Sequence, residues 1–127
     1  MKRVSSGSPW EAELGYSRAA VAGDLIFISA TAATGPDGAV VGKGDAYQQA
    51  RIILEKLATV LEQAGARLDQ VVQTRIYLAD IAHWRDAGRA HGEAFRDIRP
   101  AMSLIHVKPF LDPEMLVEIE LVASKAA

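Results

Sequence analysis

The chain contains no cysteine. Disulfide staples, thiolate metal sites and cysteine nucleophiles are therefore excluded. Aromatic residues make up only 6% of the 127 residues, which leaves the core to aliphatic side chains. No stretch approaches the roughly 18 consecutive apolar residues that a membrane helix needs. The opening Met-Lys-Arg-Val-Ser-Ser-Gly-Ser-Pro-Trp has two basic residues but no apolar run behind them, so it does not form a secretory leader. The cytoplasm is the expected compartment, with no membrane contact. Runs of Lys and Arg are also missing and the net charge is -2, so neither a global field nor a local patch attracts a phosphate backbone. No nucleic-acid partner is expected.

What is present points to a globular fold. With 50% hydrophobic and 24% charged residues the composition lies outside the range of disordered chains. The length suits a single domain over residues 1–127. The first ten residues, rich in Ser, Gly and Pro, allow one short extended stretch at best. Tyr16–Val21, the turn Ala22-Gly23-Asp24 and the apolar run Leu25–Ser29 predict a β-hairpin, Gly23 supplying the positive φ that a tight turn requires. A second turn follows at Thr34-Gly-Pro-Asp-Gly38. Asp45 and Gln48 mark a helix start. Behind them Ala50, Ile53, Leu54, Leu57, Leu61 and Ala64 repeat at helical spacing up to a Gly65 C-cap.

Leu68–Ala79 alternates as a strand, with Val72, Thr74, Ile76 and Leu78 on one face and Val71, Gln73, Arg75 and Tyr77 on the other. Asp80 can cap a second helix whose apolar stripe is Trp84, Ala87, His91, Ala94, Phe95 and Ile98. Pro100 ends it and pushes Arg99 toward extended geometry. Two strands, Ala101–Val107 and Met115–Ala123, complete the order β-β-β-α-β-α-β-β, an α+β fold with both helices on one face of a mixed sheet. The other sheet face is then either polar or covered by another subunit. In the last strand Glu118 and Glu120 alternate with Val117, Ile119 and Leu121, so both carboxylates share one side. His83 and His91 stand eight apart rather than at the i, i+4 spacing of a helical metal pair, and His106 lies on a strand. No metal site is expected.

The stretch Arg99-Pro-Ala-Met-Ser103, followed by a strand, a loop and Val117-Glu-Ile-Glu120, resembles the signature of the RidA (YjgF-type) family. Gly15-Tyr16 with Ser29, Ala46-Tyr47-Gln48-Gln49 and Val72–Asp80 agree in order and spacing, so the resemblance runs from about residue 14 to 123. It implies a chorismate-mutase-like fold and a homotrimer with a central barrel of sheets, helices outside and pockets between subunits. It also implies hydrolytic deamination of imines and enamines such as 2-aminoacrylate, with no metal or cofactor. Family deaminases clamp the substrate carboxylate with an arginine and position water with a glutamate near the C-terminus.

On this resemblance Glu118 matches the water-positioning glutamate, its alternative being a solvated strand face. Tyr16 and Ser29 match substrate-contacting positions, although Ser29 could equally bond local backbone. Ala30 and Thr31 stand where the family usually has Gly-Gln, and Ala30 narrows the approach to the pocket floor. Met102, beside Ser103, replaces the clamping arginine. A thioether has neither charge nor donor, so either the substrate differs or Met102 fills a pocket without deaminase activity. Arg89 could return a positive charge to the cleft or be a solvated surface residue, and Arg75 is a weaker candidate for that duty. Three functional readings stay open at this level: an imine or enamine hydrolase with a substrate other than 2-aminoacrylate, a non-catalytic metabolite-binding or chaperone-like trimer, and a ribonuclease, which the charge disfavours.

Overall fold

The computed structural model describes the whole chain, Met1 to Ala127. In chain order the elements are β1 (Lys2–Val4), α1 (Pro9–Leu14), β2 (Ala19–Ala22), β3 (Leu25–Ala32), α2 (Ala46–Gln63), β4 (Val71–Leu78), α3 (Trp84–Phe95), β5 (Ala101–His106) and β6 (Val117–Ser124), with 3₁₀ turns at Leu68–Gln70 and Ile81–His83. The six strands form one sheet in the order β1-β2-β3-β6-β4-β5. Only the β4–β5 pair is parallel, so the sheet is mixed. No helix is long and apolar enough to cross a membrane.

The α+β order holds with one addition. The expected leading coil contains α1, which forms because Ser8 accepts a hydrogen bond from the Trp10 amide, Pro9 presets the first turn and Gly15 at φ 75° ends it. The hairpin turn is the two-residue Gly23-Asp24, positive in φ only at Gly23 (60°), the pattern of a type II′ turn. For α2, Asp45 caps the Gln48 amide. At its other end Gly65 adopts φ 87° while the amides of Gly65 and Ala66 return to the carbonyls of Glu62 and Leu61, a Schellman closure. Every residue of the predicted α2 stripe is buried.

Helices α2 and α3 cover one sheet face. There Ile26 and Ile28 of β3, Ile76 and Leu78 of β4, and Val117, Ile119 and Leu121 of β6 pack on Ile53, Leu57 and Leu61. Three expectations fail here. The β4–β6 register shifts between Val71 and Gln73, so Val71 is buried and Val72 exposed, the reverse of strict alternation; a bulge adds one residue and inverts the parity before it. Trp84 is exposed rather than part of the α3 stripe, because the chain enters α3 through a 3₁₀ turn; its ring carries Arg85 instead. Arg99 is not extended but left-handed at φ 55°, its amide bonded to the Phe95 carbonyl.

Gln49 fixes the long connections. Its side chain is fully buried, donates to the carbonyls of Gly42 (3.1 Å) and Glu114 (3.0 Å), and accepts from the Leu116 amide (2.9 Å). One residue thereby holds both the approach to α2 and the loop before β6. Gln49→Leu keeps the volume but leaves three backbone groups without partners, and should cost about 2–3 kcal/mol, read from the denaturant midpoint. A loss below about 0.5 kcal/mol, the ordinary scatter of surface changes, would show that water replaces these bonds.

The sheet face away from the helices is open. Leu25 (43% exposed) and Phe27 (46%) lie on it with Arg75, Tyr77, Glu118, Glu120 and Val122, and neither α2 nor α3 covers the two apolar side chains.

Candidate functional site

The site begins with an irregularity in β3. Ile28 pairs with Leu121 but Thr31 pairs with Ile119, so one extra residue is accommodated at Ser29-Ala30. A bulge turns carbonyls out of the ladder, and Arg18 collects them. Its Nη1 donates to Ala30 O (2.7 Å) and Thr31 Oγ1 (3.0 Å), with Ser29 O at 3.4 Å. Its Nη2 lies 3.5 Å from the Tyr16 hydroxyl. Ser29 donates its own hydroxyl proton to Ser17 O (2.8 Å), so the local-backbone alternative describes its hydrogen bond. Its lone pairs stay free to accept. Nearby, Lys56 donates to Ala32 O (2.8 Å), Thr34 O (3.2 Å) and Thr34 Oγ1 (2.8 Å), and burial, with some repulsion from Arg18, lowers its pKa.

Tyr16 and Ser29 line a cleft of about 740 Å³ on the open sheet face, together with Phe27, Arg75 and Glu120. The two C-terminal carboxylates diverge there. Glu120, which lines the cleft, is bound by the Tyr77 hydroxyl and by Arg75 at 3.3 Å. Hydrogen bonding to Glu120 and burial, burial foremost, push the Tyr77 phenol up to about 12. Glu118 lies outside that lining, opposite Ala32 and Tyr77 in the sheet. It is half-buried, and no side chain or amide of the chain bonds its carboxylate. Burial raises its pKa, while the positive charge of Arg18 holds it back in part. Such a carboxyl is disposed to exchange a proton with bound water.

The remaining candidates are not gathered at this point. Met102 pairs with Thr74 on the edge strand β5 and faces the helix side, in a hollow of about 330 Å³ beside His91, Phe95, Arg96 and Arg99. Ser103 pairs with Arg75 and is exposed. Arg89 lies outside both hollows: it stacks on Tyr47 at 3.6 Å and pairs with Glu93 at 3.7 Å, while Tyr47 donates to the same Glu93 at 2.7 Å. Arg75, the weaker candidate, is committed to Glu120. His91 is buried against Thr74 Oγ1 (2.8 Å) and Phe95, with burial lowering its pKa. Within one chain the candidates therefore form two groups, one around the β3 bulge and one at the β5 edge, with Arg89 apart from both.

Arg18 and Lys56 went unrecognised in the sequence. The available signal was two cations flanking an apolar hairpin and helix stripe; their shared target, the backbone of residues 29–34, exists only once the bulge forms.

The profile of the family described as endoribonuclease L-PSP matches residues 7–125. The chain belongs to this family. A Mycobacterium tuberculosis member of the YjgF/YER057c/UK114 family superposes with a TM-score of 0.87 at 41% identity, covering 97% of this chain and 98% of that one. An uncharacterised Streptomyces coelicolor protein is 37% identical over 100% of this chain and 94% of its own length. A RutC family protein of Pyrococcus horikoshii is 33% identical over 87% and 86%. The family's α+β sheet with its two main helices on one face is the architecture described above.

Proposed function

We propose that the protein is a RidA-like small-molecule hydrolase, assembled as a homotrimer, that adds water to an imine or enamine in clefts between neighbouring copies. The observation that carries this reading is Glu118: a half-buried carboxyl with a raised pKa and no bonding partner in its own chain. It would take a proton from water as the oxygen attacks the imine carbon. Glu118 would return that proton to the nitrogen, and the carbinolamine hydroxyl would then pass its own proton through the same carboxyl to the nitrogen as the C–N bond breaks, so that ammonia leaves and a carbonyl compound remains. Tyr16 and the lone pairs of Ser29 would orient the substrate over the bulge at Ala30. The neighbouring copy would bring its β5 edge, with Met102 and Ser103, to the same cleft; this would unite the two groups that one chain keeps apart. Arg89, occupied by Tyr47 and Glu93, contributes less to this reading.

Met102 also supports a second reading, a trimer that binds metabolites without turning them over, because a thioether cannot grip a carboxylate. Both are tested by generating 2-aminoacrylate or 2-iminobutyrate in situ and following keto-acid release. A wild-type protein slow on these acids, with at least tenfold faster release in Met102→Arg, supports a hydrolase whose natural substrate differs from them. If wild type and Met102→Arg both leave the spontaneous rate unchanged, the binding reading replaces the hydrolase. RNA cleavage that rises with purity would instead favour the activity in the family's description.

A further inference from the structure

Arg18 is bonded in an unusual way for a cation. All its hydrogen bonds are to neutral oxygens, Ala30 O, Thr31 Oγ1, Ser29 O and the Tyr16 hydroxyl, and its guanidinium lies 5.6 Å over the Tyr16 ring. No carboxylate lies within ion-pair distance of it, although Arg51, Arg67, Arg75 and Arg89 each have one. The three shorter-range partners all fall on Nη1. The opposite edge of the guanidinium, Nε with Nη2, carries two parallel N–H groups and is occupied only by the 3.5 Å contact from Nη2 to Tyr16. That edge is the fork that receives a carboxylate through two hydrogen bonds.

The surroundings reinforce the imbalance. Lys56, also bonded only to neutral oxygens, grips the continuation of the same backbone at Ala32 and Thr34. Glu11 and Glu118 both feel the charge of Arg18. Glu11 is already bonded by the amide and hydroxyl of Ser6, and Glu118 makes no contact with Arg18. Two half-buried cations thus hold one stretch of backbone without a carboxylate partner, and a desolvated positive charge of this kind is relieved by an anion.

We propose that Arg18 is the anion anchor of this site, its Nη1 pinned to the β3 bulge while its Nε–Nη2 edge takes a small carboxylate beside Tyr16 and Glu118. The anchor lies in the same chain as Glu118, so ligand and water-handling group are positioned by one piece of backbone. The proposal deepens the hydrolase reading by naming the group that holds the substrate, yet it stands on binding alone; an unreactive ligand therefore separates its failure from an absence of turnover.

The experiment titrates the intact protein with pyruvate, with neutral pyruvamide and with inorganic phosphate, following affinity and the arginine Nε–H NMR signals. The Arg18 signal is identified by its absence from Arg18→Lys. The expected result is that pyruvate moves this signal and binds at least tenfold more tightly than pyruvamide. Arg18→Gln should lose that preference and Arg18→Lys retain part of it, whereas Arg89→Gln should keep it in full. Arg18 also braces the bulge, so where circular dichroism shows Arg18→Gln to be poorly folded, the wild-type comparison and the Nε signal decide. Equal affinity for pyruvate and pyruvamide, no movement of the Arg18 signal, an undiminished preference in a folded Arg18→Gln, or tighter binding of phosphate than of pyruvate would each overturn the proposal.

Discussion

Glu118→Gln is expected to lower imine hydrolysis by about 10²–10⁴-fold, the usual contribution of a positioned acid or base, while the protein stays folded. The substitution keeps the shape of the side chain and removes only its ability to ionise. The pH dependence sharpens the test. As a base Glu118 must be deprotonated, and burial raises its pKa above the ordinary 4.5, so the acid limb of kcat/KM should lie above that value. Removing Arg18, whose charge opposes the rise, should move the limb further up. Stability runs the other way. With the folded pKa above the unfolded one, the native state holds the proton longer, and stability falls as pH rises through that window. Glu118→Gln, free of the cost of ionising a buried carboxyl, should therefore be at least as stable as wild type at pH 7. Loss of turnover without loss of stability separates a working carboxylate from a structural one. Full activity in Glu118→Gln would remove the residue from the mechanism, and a sharp drop in melting temperature would recast it as part of the sheet.

Phe27→Glu should convert the proposed trimer, three times the 13.7 kDa chain, to monomer, with loss of the proposed activity and little change in secondary structure. Phe27 is 46% exposed on the face that neither helix covers, with Leu25 at 43% two residues away and Val122 paired across on β6. Burying the exposed half of such a ring gains about half of the roughly 1.5–3 kcal/mol of a full burial, and threefold symmetry repeats the gain at every interface. A charge there stays largely hydrated in the monomer but must be desolvated in the assembly. Activity is expected to fall with the trimer because the Met102 edge and the β3 bulge belong to different groups within one chain. Light scattering coupled to gel filtration reads the mass directly. A wild type that elutes as monomer, or a trimeric Phe27→Glu, would place the interface elsewhere; a monomer with full turnover would show that one chain holds a complete site.

Some of this was written in local sequence. The α2 stripe, its Asp45 cap and its Gly65 closure involve residues within one or two turns of each other, so spacing alone specifies them. The alternation of Val117–Ala123 likewise put Glu118 and Glu120 on one side. Where a prediction failed, a feature outside simple periodicity intervened. One extra residue in β4 exchanged Val71 and Val72 between faces, and the 3₁₀ entry to α3 turned Trp84 outward.

By itself the sequence determined the α+β order, the long helix, the family motifs and the departure at Met102, because each is a matter of residue type and near-neighbour spacing. Only the tertiary structure decided how the charges are partnered. Glu120 is bound by Arg75 and Tyr77 while Glu118 is bound by nothing, and Arg89 is spent on Tyr47 and Glu93. Arg18 reaches the bulge eleven to thirteen residues away. A side chain's charge is visible in the sequence, but its partner depends on strand register and on bulges, which bring distant residues within bonding distance only after the sheet has formed.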